Sequence, residues 1–331
     1  MPPRRSRRIA VLGAGAWGTA LAVQAARAGN AVGLWARDPA RAAAIAAAQQ
    51  NETYLPGIPL TGGITATADA AAALEGALFT LLVVPVQHLR AVVAALPETS
   101  APLVVCAKGV ERDTLRLPLE ILADLRPTRP AAVLSGPNFA HEVAKGLPAA
   151  AVVASEDAGL RNLVAELLGS TGFRLYGGDD PIGVQVGGAA KNVIAIAAGA
   201  VIGAGLGENA RAALVTRGLA ELSRLTVALG GKAETAAGLS GLGDLLLTTT
   251  GPGSRNTSLG HALGQGASLD HALAGRIGVA EGVATAPALV ARAAALGVEL
   301  PICGAVAQLL AGEATLGEAM GRLLARPRRD E

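Results

Sequence analysis

Short β-branched apolar runs alternate with Ala-rich stretches through the first half of the chain: IAVLG, AVGLW, FTLLVV, PLVVCAKG, AAVLSG, AAAVVAS and FRLY recur from Ile9 to about Tyr176. Runs of this kind predict strands buried on both faces, and the Ala-rich stretches between them predict crossover helices. The pattern therefore implies an α/β half built on a doubly wound, mostly parallel sheet. After GGDD and Pro181 the strand signal stops, and the remainder reads as helices interrupted by Gly and Pro. Asp180 followed by Pro181 has the form of a helix start, a capping residue before a proline in the first turn. The boundary is expected near residue 178. This gives an N-terminal α/β domain over residues 1–178, with 1–8 as a disordered tail, and an all-α domain over 179–331.

Composition narrows the classes. The chain is 51% apolar but only 2% aromatic, so Ala, Val, Leu and Ile must fill the interior. No apolar run reaches the roughly 20 residues of a membrane helix. The best stretch, Val193 to Gly207, contains Gly199, Gly203, Gly205 and Gly207, and no membrane insertion is expected. The formal charge of +2 comes from arginines in the two tails, Arg4, Arg5, Arg7, Arg8, Arg326, Arg328 and Arg329. Setting these aside with Asp330 and Glu331 leaves 21 basic against 24 acidic side chains, and such a body is a poor nucleic-acid binder. The basic start is followed by a strand-like run at Ile9 and not by a signal-type apolar region. Cys106 and Cys303 lie far apart without metal-ligand spacing, so no metal is expected and a reducing, cytoplasmic setting fits.

The stretch RIAVLGAGAWGTALAVQAARAGNAVGLWARD carries Gly13, Gly15 and Gly18 between an apolar strand and a helix. In a dinucleotide-binding crossover the first glycine permits the tight turn, the second lets the pyrophosphate approach the backbone, and the third permits close packing. The amides of Ala16 and Trp17 would face the anion at the positive end of the helix. At the end of the second strand Arg37 offers a guanidinium suited to a 2′-phosphate, which favours NADP(H) over NAD(H). Asp38 beside it can serve the ribose or cap the following helix.

Ligands of open α/β sheets sit beyond the carboxyl ends of the strands. Three polar groups fall there: Lys108 in VVCAKGV, Ser135 to Asn138 in VLSGPNFA, and Pro85 to His88. Each can equally be a capping or turn residue, although a Lys-Gly step after an apolar run has no capping logic. In the helical half, GGAAKNVIAIAAGA sets Lys191 in small apolar surroundings, with no opposite charge between Asp180 and Glu208. A helix would place Gly187, Gly188, Ala195 and Ala198 around Lys191 as a bare floor open to a ligand. A buried ammonium needs a partner, and Asp244 in GLSGLGDLLLTTTGPGSRNTSLG is a candidate. In the same segment Ser254, Arg255 and Asn256 carry donors suited to a small phosphate, or form a solvated loop.

These residues carry a resemblance. VLGAGAWGTALA, YLPGIPL, AKGVE, SGPNFAHEVA, AAKNVIAIAAG, LGENARAALVTRGLAE, GLSGLGDLLLTTTGPGSRN and VAEG make the chain resemble the bacterial NAD(P)-dependent sn-glycerol-3-phosphate dehydrogenases from Ile9 to about Met320. The resemblance implies a Rossmann domain for the nicotinamide nucleotide and an all-helical substrate domain. It also implies interconversion of dihydroxyacetone phosphate and sn-glycerol 3-phosphate for glycerophospholipid synthesis, in a cytoplasmic homodimer. By the same resemblance Lys191 is the general acid/base, flanked by Lys108 and Asp244 and supported by Asn192 and Thr248. Arg255 and Asn256 anchor the substrate phosphate, and Gly136 and Asn138 touch the substrate. Ala140, Arg255, Val279 and Glu281 approach the cofactor. Asn138 stands where many relatives have Ser or Thr, and Ala16 lacks a hydroxyl that some offer. Two other readings stay open at this level: another two-domain hydroxyacid dehydrogenase, and a non-catalytic nucleotide sensor.

Overall fold

The computed structural model describes residues 7–60, 62–251, 253–274 and 280–327. Two compact units divide the chain: Met1–Lys108 with Pro118–Pro181, and Gly109–Leu117 with Ile182–Glu331. The division differs from a single cut at 178, because nine residues after Lys108 belong with the helical half.

The first unit is an eight-stranded sheet of β1 (Arg8–Leu12), β2 (Ala31–Trp35), β3 (Ile64–Thr67), β4 (Thr80–Leu82), β5 (Leu103–Val105), β6 (Ala131–Ser135), β7 (Ala149–Ala154) and β8 (Phe173–Gly178). Their order is β3-β2-β1-β4-β5-β6-β7-β8, and every neighbouring pair is parallel except β6 with β7. Helices α1 (Ala16–Arg27), α2 (Pro39–Ala48), α3 (Ala70–Leu74), α4 (Val86–Ala95), α5 (Pro118–Leu125), α6 (Ala140–Lys145) and α7 (Ala158–Leu168) form the connections. Alternate residues of one strand enter separate cores: Ile9 and Val11 of β1 pack on one face, Ala10 and Leu12 on the other. Burial on both faces explains why these strands read as unbroken apolar runs.

Two features of this unit depart from the sequence reading. The segment ITAT forms the edge strand β3, which its polar, Gly-flanked sequence does not announce. The expected disordered tail of 1–8 is overturned at its end. Arg8 opens β1, the Arg7 carbonyl accepts from Ala31 N at 2.8 Å, and the Arg7 guanidinium lies 2.9 Å from Glu166. At the other end Arg326, counted among the tail arginines, pairs with Glu299 at 2.6 Å.

The second unit is helical, with no strand among its described residues: α8 (Pro181–Gly203), α9 (Gly207–Ala228), α10 (Ala233–Ala236), a π-helical turn at Leu239–Gly243, α11 (Asp244–Thr250), α12 (Arg255–Gly264), α13 (Leu269–Leu273), α14 (Glu281–Ala294), α15 (Pro301–Ala311) and α16 (Leu316–Leu324). Its central element, α8, is 23 residues long with mean hydropathy 1.6 in its most apolar window, long and apolar enough to cross a membrane. This corrects the expectation that no stretch reaches that length, since the helix runs back through Lys191 to Pro181. Of that window, 83% is buried inside the protein.

Candidate active site

The glycine turn lies where the strand order reverses. β1 has β2 on one side and β4 on the other, and in open sheets of this kind ligands bind at that reversal, beyond the carboxyl ends of the strands. Gly13 follows β1 with φ 120°, and a side chain there would meet the Val83 carbonyl oxygen after β4 at 2.5 Å. A side chain on Gly18 would collide with the Gly13 carbonyl. Around Gly15, by contrast, nothing lies within 4 Å of the position a Cβ would take. Gly15 is also the N-cap of α1 and contributes no side-chain cap, so the first turn of that helix retains backbone donors for an anion. Two glycines are thus demanded by packing, whereas the third borders open space.

At the end of β2, Arg37 is exposed, and the Asp38 side chain accepts from Ala40 N at 3.0 Å as the N-cap of α2. Of the two roles open to Asp38, the structure fills the capping one. Pro85 to His88 likewise turn from β4 into α4, with Pro85 as its N-cap. Beyond β5 and β6, Lys108 Nζ donates to the Gly136 carbonyl at 3.3 Å. Gly136 has φ 151°, and a side chain on it would strike Ala151 of β7. Asn138 Nδ2 donates to the Ala150 carbonyl at 3.1 Å, while its Oδ1 and the Ser135 hydroxyl are buried without a hydrogen-bond partner. Ala140 is the first residue of α6. Burial pushes the thiol of Cys106, two residues from Lys108, well above its ordinary pKa although the lysine pulls the other way.

In the second unit the isolated lysine has found its partner. Lys191 Nζ lies 2.9 Å from Asp244 Oδ1 and 2.9 Å from Thr248 Oγ1, and the Thr248 hydroxyl donates to Asp244 at 3.3 Å. Asp244 is 1% exposed and the lysine side chain 11%, so this triangle lies in low dielectric, where its bonds are strong and its loss costly. The π-helical turn before Asp244 offsets α11, and Asp244 sits in the first turn of α11 with Gly243 as N-cap. The Thr248 carbonyl accepts from Thr257 Oγ1 at 2.5 Å, which ties α11 to α12.

The bare floor expected around Lys191 is corrected. A side chain on Gly187 would meet the Ser240 carbonyl at 2.6 Å, and Ala195 and Ala198 are wholly buried. Farther along α8, Gly199 and Gly203 face the backbone of α12, whose Gly260 and Gly264 face the backbone of α8 in return. The small residues bring helix backbones together and do not admit a ligand along that face.

The remaining site candidates form a buried polar bridge. Asn256 Nδ2 donates to Asn192 Oδ1 at 2.9 Å, and Asn256 Oδ1 accepts from Gly282 N at 3.1 Å, joining α12, α8 and α14. Asn256 is therefore partly committed to the fold. Ser254 caps α12 by accepting from Thr257 N at 3.2 Å, whereas Arg255 at the first position of that helix is exposed. Glu281 begins α14. Val279 lies outside the described residues.

Comparison with known proteins decides the family. Residues 8–160 match the NAD-dependent glycerol-3-phosphate dehydrogenase N-terminus, and residues 180–321 match the C-terminus of the same family. The chain belongs to the NAD-dependent glycerol-3-phosphate dehydrogenase family. It is 57% identical to glycerol-3-phosphate dehydrogenase [NAD(P)+] of Acidiphilium cryptum and 54% identical to that of Caulobacter vibrioides, in each case covering 98% of both chains. The crystal structure of glycerol-3-phosphate dehydrogenase from Coxiella burnetii superposes with a TM-score of 0.93 at 39% identity, covering 97% of this chain and 99% of that one.

Within this family member the sequence reading passed over one buried amide next to the glycine turn, Asn51. It also missed the mutual bonding of Asn192 and Asn256. Neither has a sequence signal: Asn51 stands in QQNET and Asn256 in SRNTS, polar stretches that read as loop.

Proposed function

We propose that this chain catalyses reversible NAD(P)-dependent interconversion of dihydroxyacetone phosphate and sn-glycerol 3-phosphate, with Lys191 as its proton donor and acceptor. Membership of the family across both halves supports the reaction, and the buried Lys191–Asp244–Thr248 triangle carries the assignment of the proton to Lys191. The nicotinamide of the bound cofactor supplies the hydride to C2 in reduction and takes it back in oxidation. Lys191 gives a proton to the oxygen developing charge at C2, and in reverse removes the hydroxyl proton. Asp244 and Thr248 hold the ammonium in one place, so little reorganisation is needed when the proton moves. Lys108, fixed on the Gly136 carbonyl, adds positive charge for the substrate in this reading.

The open space at Gly15 and the uncapped first turn of α1 suit the dinucleotide pyrophosphate, held by the amides of Gly15, Ala16 and Trp17. Exposed Arg37, beside a carboxylate already used as a cap, favours NADP(H) over NAD(H). Exposed Arg255 is the phosphate anchor in this reading, with Ser254 and Asn256 shaping its loop. By the family resemblance Ala140 and Glu281 are further candidates for holding the cofactor. The product supplies glycerophospholipid synthesis. Two buried free thiols support a reducing, cytoplasmic setting, and family resemblance supports a homodimer.

Initial rates with dihydroxyacetone phosphate under NADPH and NADH in parallel test substrate and cofactor together. Oxidation of both, faster with NADPH, is expected. No oxidation with this substrate, alongside turnover of a hydroxyacid, would overturn the reading.

A further inference from the structure

The glycine turn is held from behind by a residue far along the chain. After α2 ends, Gln49 turns back with φ 48°, Leu60 N donates to the Gln49 carbonyl at 2.8 Å, and Gln50 bridges Pro59. Leu55, Ile58 and Leu60 bury themselves in the core shared with β1 and α1. The closed loop delivers Asn51, 1% exposed, to the inner side of the turn. Its Nδ2 donates to the Ala14 carbonyl at 2.9 Å and to Thr19 Oγ1 at 2.8 Å, and its Oδ1 accepts from Tyr54 N at 3.3 Å. Both ends of the amide are engaged, and the reverse orientation would set two oxygens against each other at Ala14.

A trans peptide points its C=O and N–H in opposite directions. Because Asn51 draws the Ala14 oxygen inward, the Gly15 N–H is turned away from Asn51. We propose that Asn51 is a positioning residue for the dinucleotide: it locks the peptide between Ala14 and Gly15 so that the Gly15 N–H joins those of α1 in facing the pyrophosphate, without touching the nucleotide. Without this clamp, permissive Gly15 offers little resistance to rotation of the peptide. Its carbonyl would then face the anion. The inference rests on the dinucleotide reading of the turn given above.

The test compares Asn51→Ala with Asn30→Ala. Asn30 is a second buried amide of the same unit, bonded to the Ala25 and Leu167 carbonyls at 2.8 and 2.6 Å and serving the end of α7. Fluorescence titration with NADPH, thermal unfolding and steady-state rates are read on each. Asn51→Ala is expected to raise the Kd and KM for NADPH about 10-fold or more, the effect of losing one well-placed hydrogen bond, with kcat at saturating NADPH and the KM for dihydroxyacetone phosphate within about 3-fold. Asn30→Ala is expected to lower Tm comparably and leave the NADPH Kd in place. Asn51→Ser keeps a polar group in the cavity and guards against a variant too unstable to purify; the same loss of NADPH affinity is expected. An unchanged Kd in the Asn51 variants, or an equal rise in Asn30→Ala, overturns the role of Asn51 alone. A wild-type chain that binds neither NADPH nor NADH overturns both it and the reading beneath it.

Discussion

Lys191 Nζ lies 2.9 Å from Asp244 Oδ1 across 53 residues of sequence, and Thr248 closes the pair into a triangle. An ammonium and a carboxylate buried together are each the reason the other is tolerated. Lys191→Ala is expected to fold, to bind NADPH as the parent does, and to lose about 10²–10⁴-fold in kcat. It also leaves Asp244 buried without its cation, at a cost of about 3–5 kcal/mol in urea unfolding. Lys191→Met combined with Asp244→Leu restores most of that stability and none of the turnover. Turnover within 3-fold of the parent in Lys191→Ala would remove Lys191 from the chemistry.

Gly15 and Gly18 are expected to behave oppositely. Gly15 has φ −78° and no neighbour within reach of a new methyl group. Gly15→Ala should therefore hold stability within about 0.5 kcal/mol, yet weaken NADPH binding at least about 10-fold by filling the cradle. Gly18→Ala forces a methyl group into the Gly13 carbonyl and should lower Tm markedly. Paired melting curves and NADPH titrations read both. Equal NADPH affinity in Gly15→Ala and the parent would place the pyrophosphate elsewhere.

Arg37 is expected to set the dinucleotide preference. With Asp38 spent on Ala40 N, Arg37→Ala should cut kcat/KM for NADPH by about 10-fold or more while changing that for NADH little, the scale of a charge-assisted contact. A parallel fall for both cofactors would assign Arg37 to the fold or to general attraction.

Glu221 of α9 gives a pH signature unrelated to catalysis. Its carboxylate accepts from Ile302 N at 2.6 Å and Cys303 N at 3.2 Å, capping α15 from another helix. Burial nevertheless raises its pKa above the ordinary carboxylate value, against the lowering effect of those bonds. Between the ordinary value and the raised one, the folded protein keeps a proton that the unfolded chain has released. Stability from this group is therefore full below the ordinary value and falls as pH rises through the folded value. Glu221→Gln removes this slope, so the stability of the parent relative to the variant should decline with rising pH in urea unfolding. A difference that stays flat or grows would contradict the shift.

Much of the site could be read along the chain because its residues violate local expectation. Gly13 and Gly18 stand where close backbone packing needs glycine, with Gly15 bordering open space between them, and Lys191 stands in an apolar helix, where a buried ammonium implies a partner such as Asp244. The purpose of the small residues around Lys191 could not be read, since a glycine that admits a ligand and one that admits a helix look alike in sequence. ITAT is polar because it lies at the sheet edge. Asn51 escapes notice because an amide bonded to a carbonyl 37 residues away and a hydroxyl 32 residues away leaves no periodic trace. Glu221 escapes for the same reason: in α9 it looks like any helical glutamate, and its partners Ile302 N and Cys303 N lie 81 and 82 residues on, at the start of α15.

The excursion of Gly109–Leu117 into the helical unit has a consequence for dissecting the molecule. The polypeptide passes between the units three times, after Lys108, after Leu117 and after Pro181. Val110 and Leu117 are fully or nearly buried in the core of the helical unit, so a fragment ending at residue 181 would carry two greasy side chains with nowhere to hide. The complementary fragment would lack part of its interior. No single scission yields two self-sufficient halves, and the nucleotide-binding part must be excised with this excursion replaced by a short polar linker if it is to be handled alone.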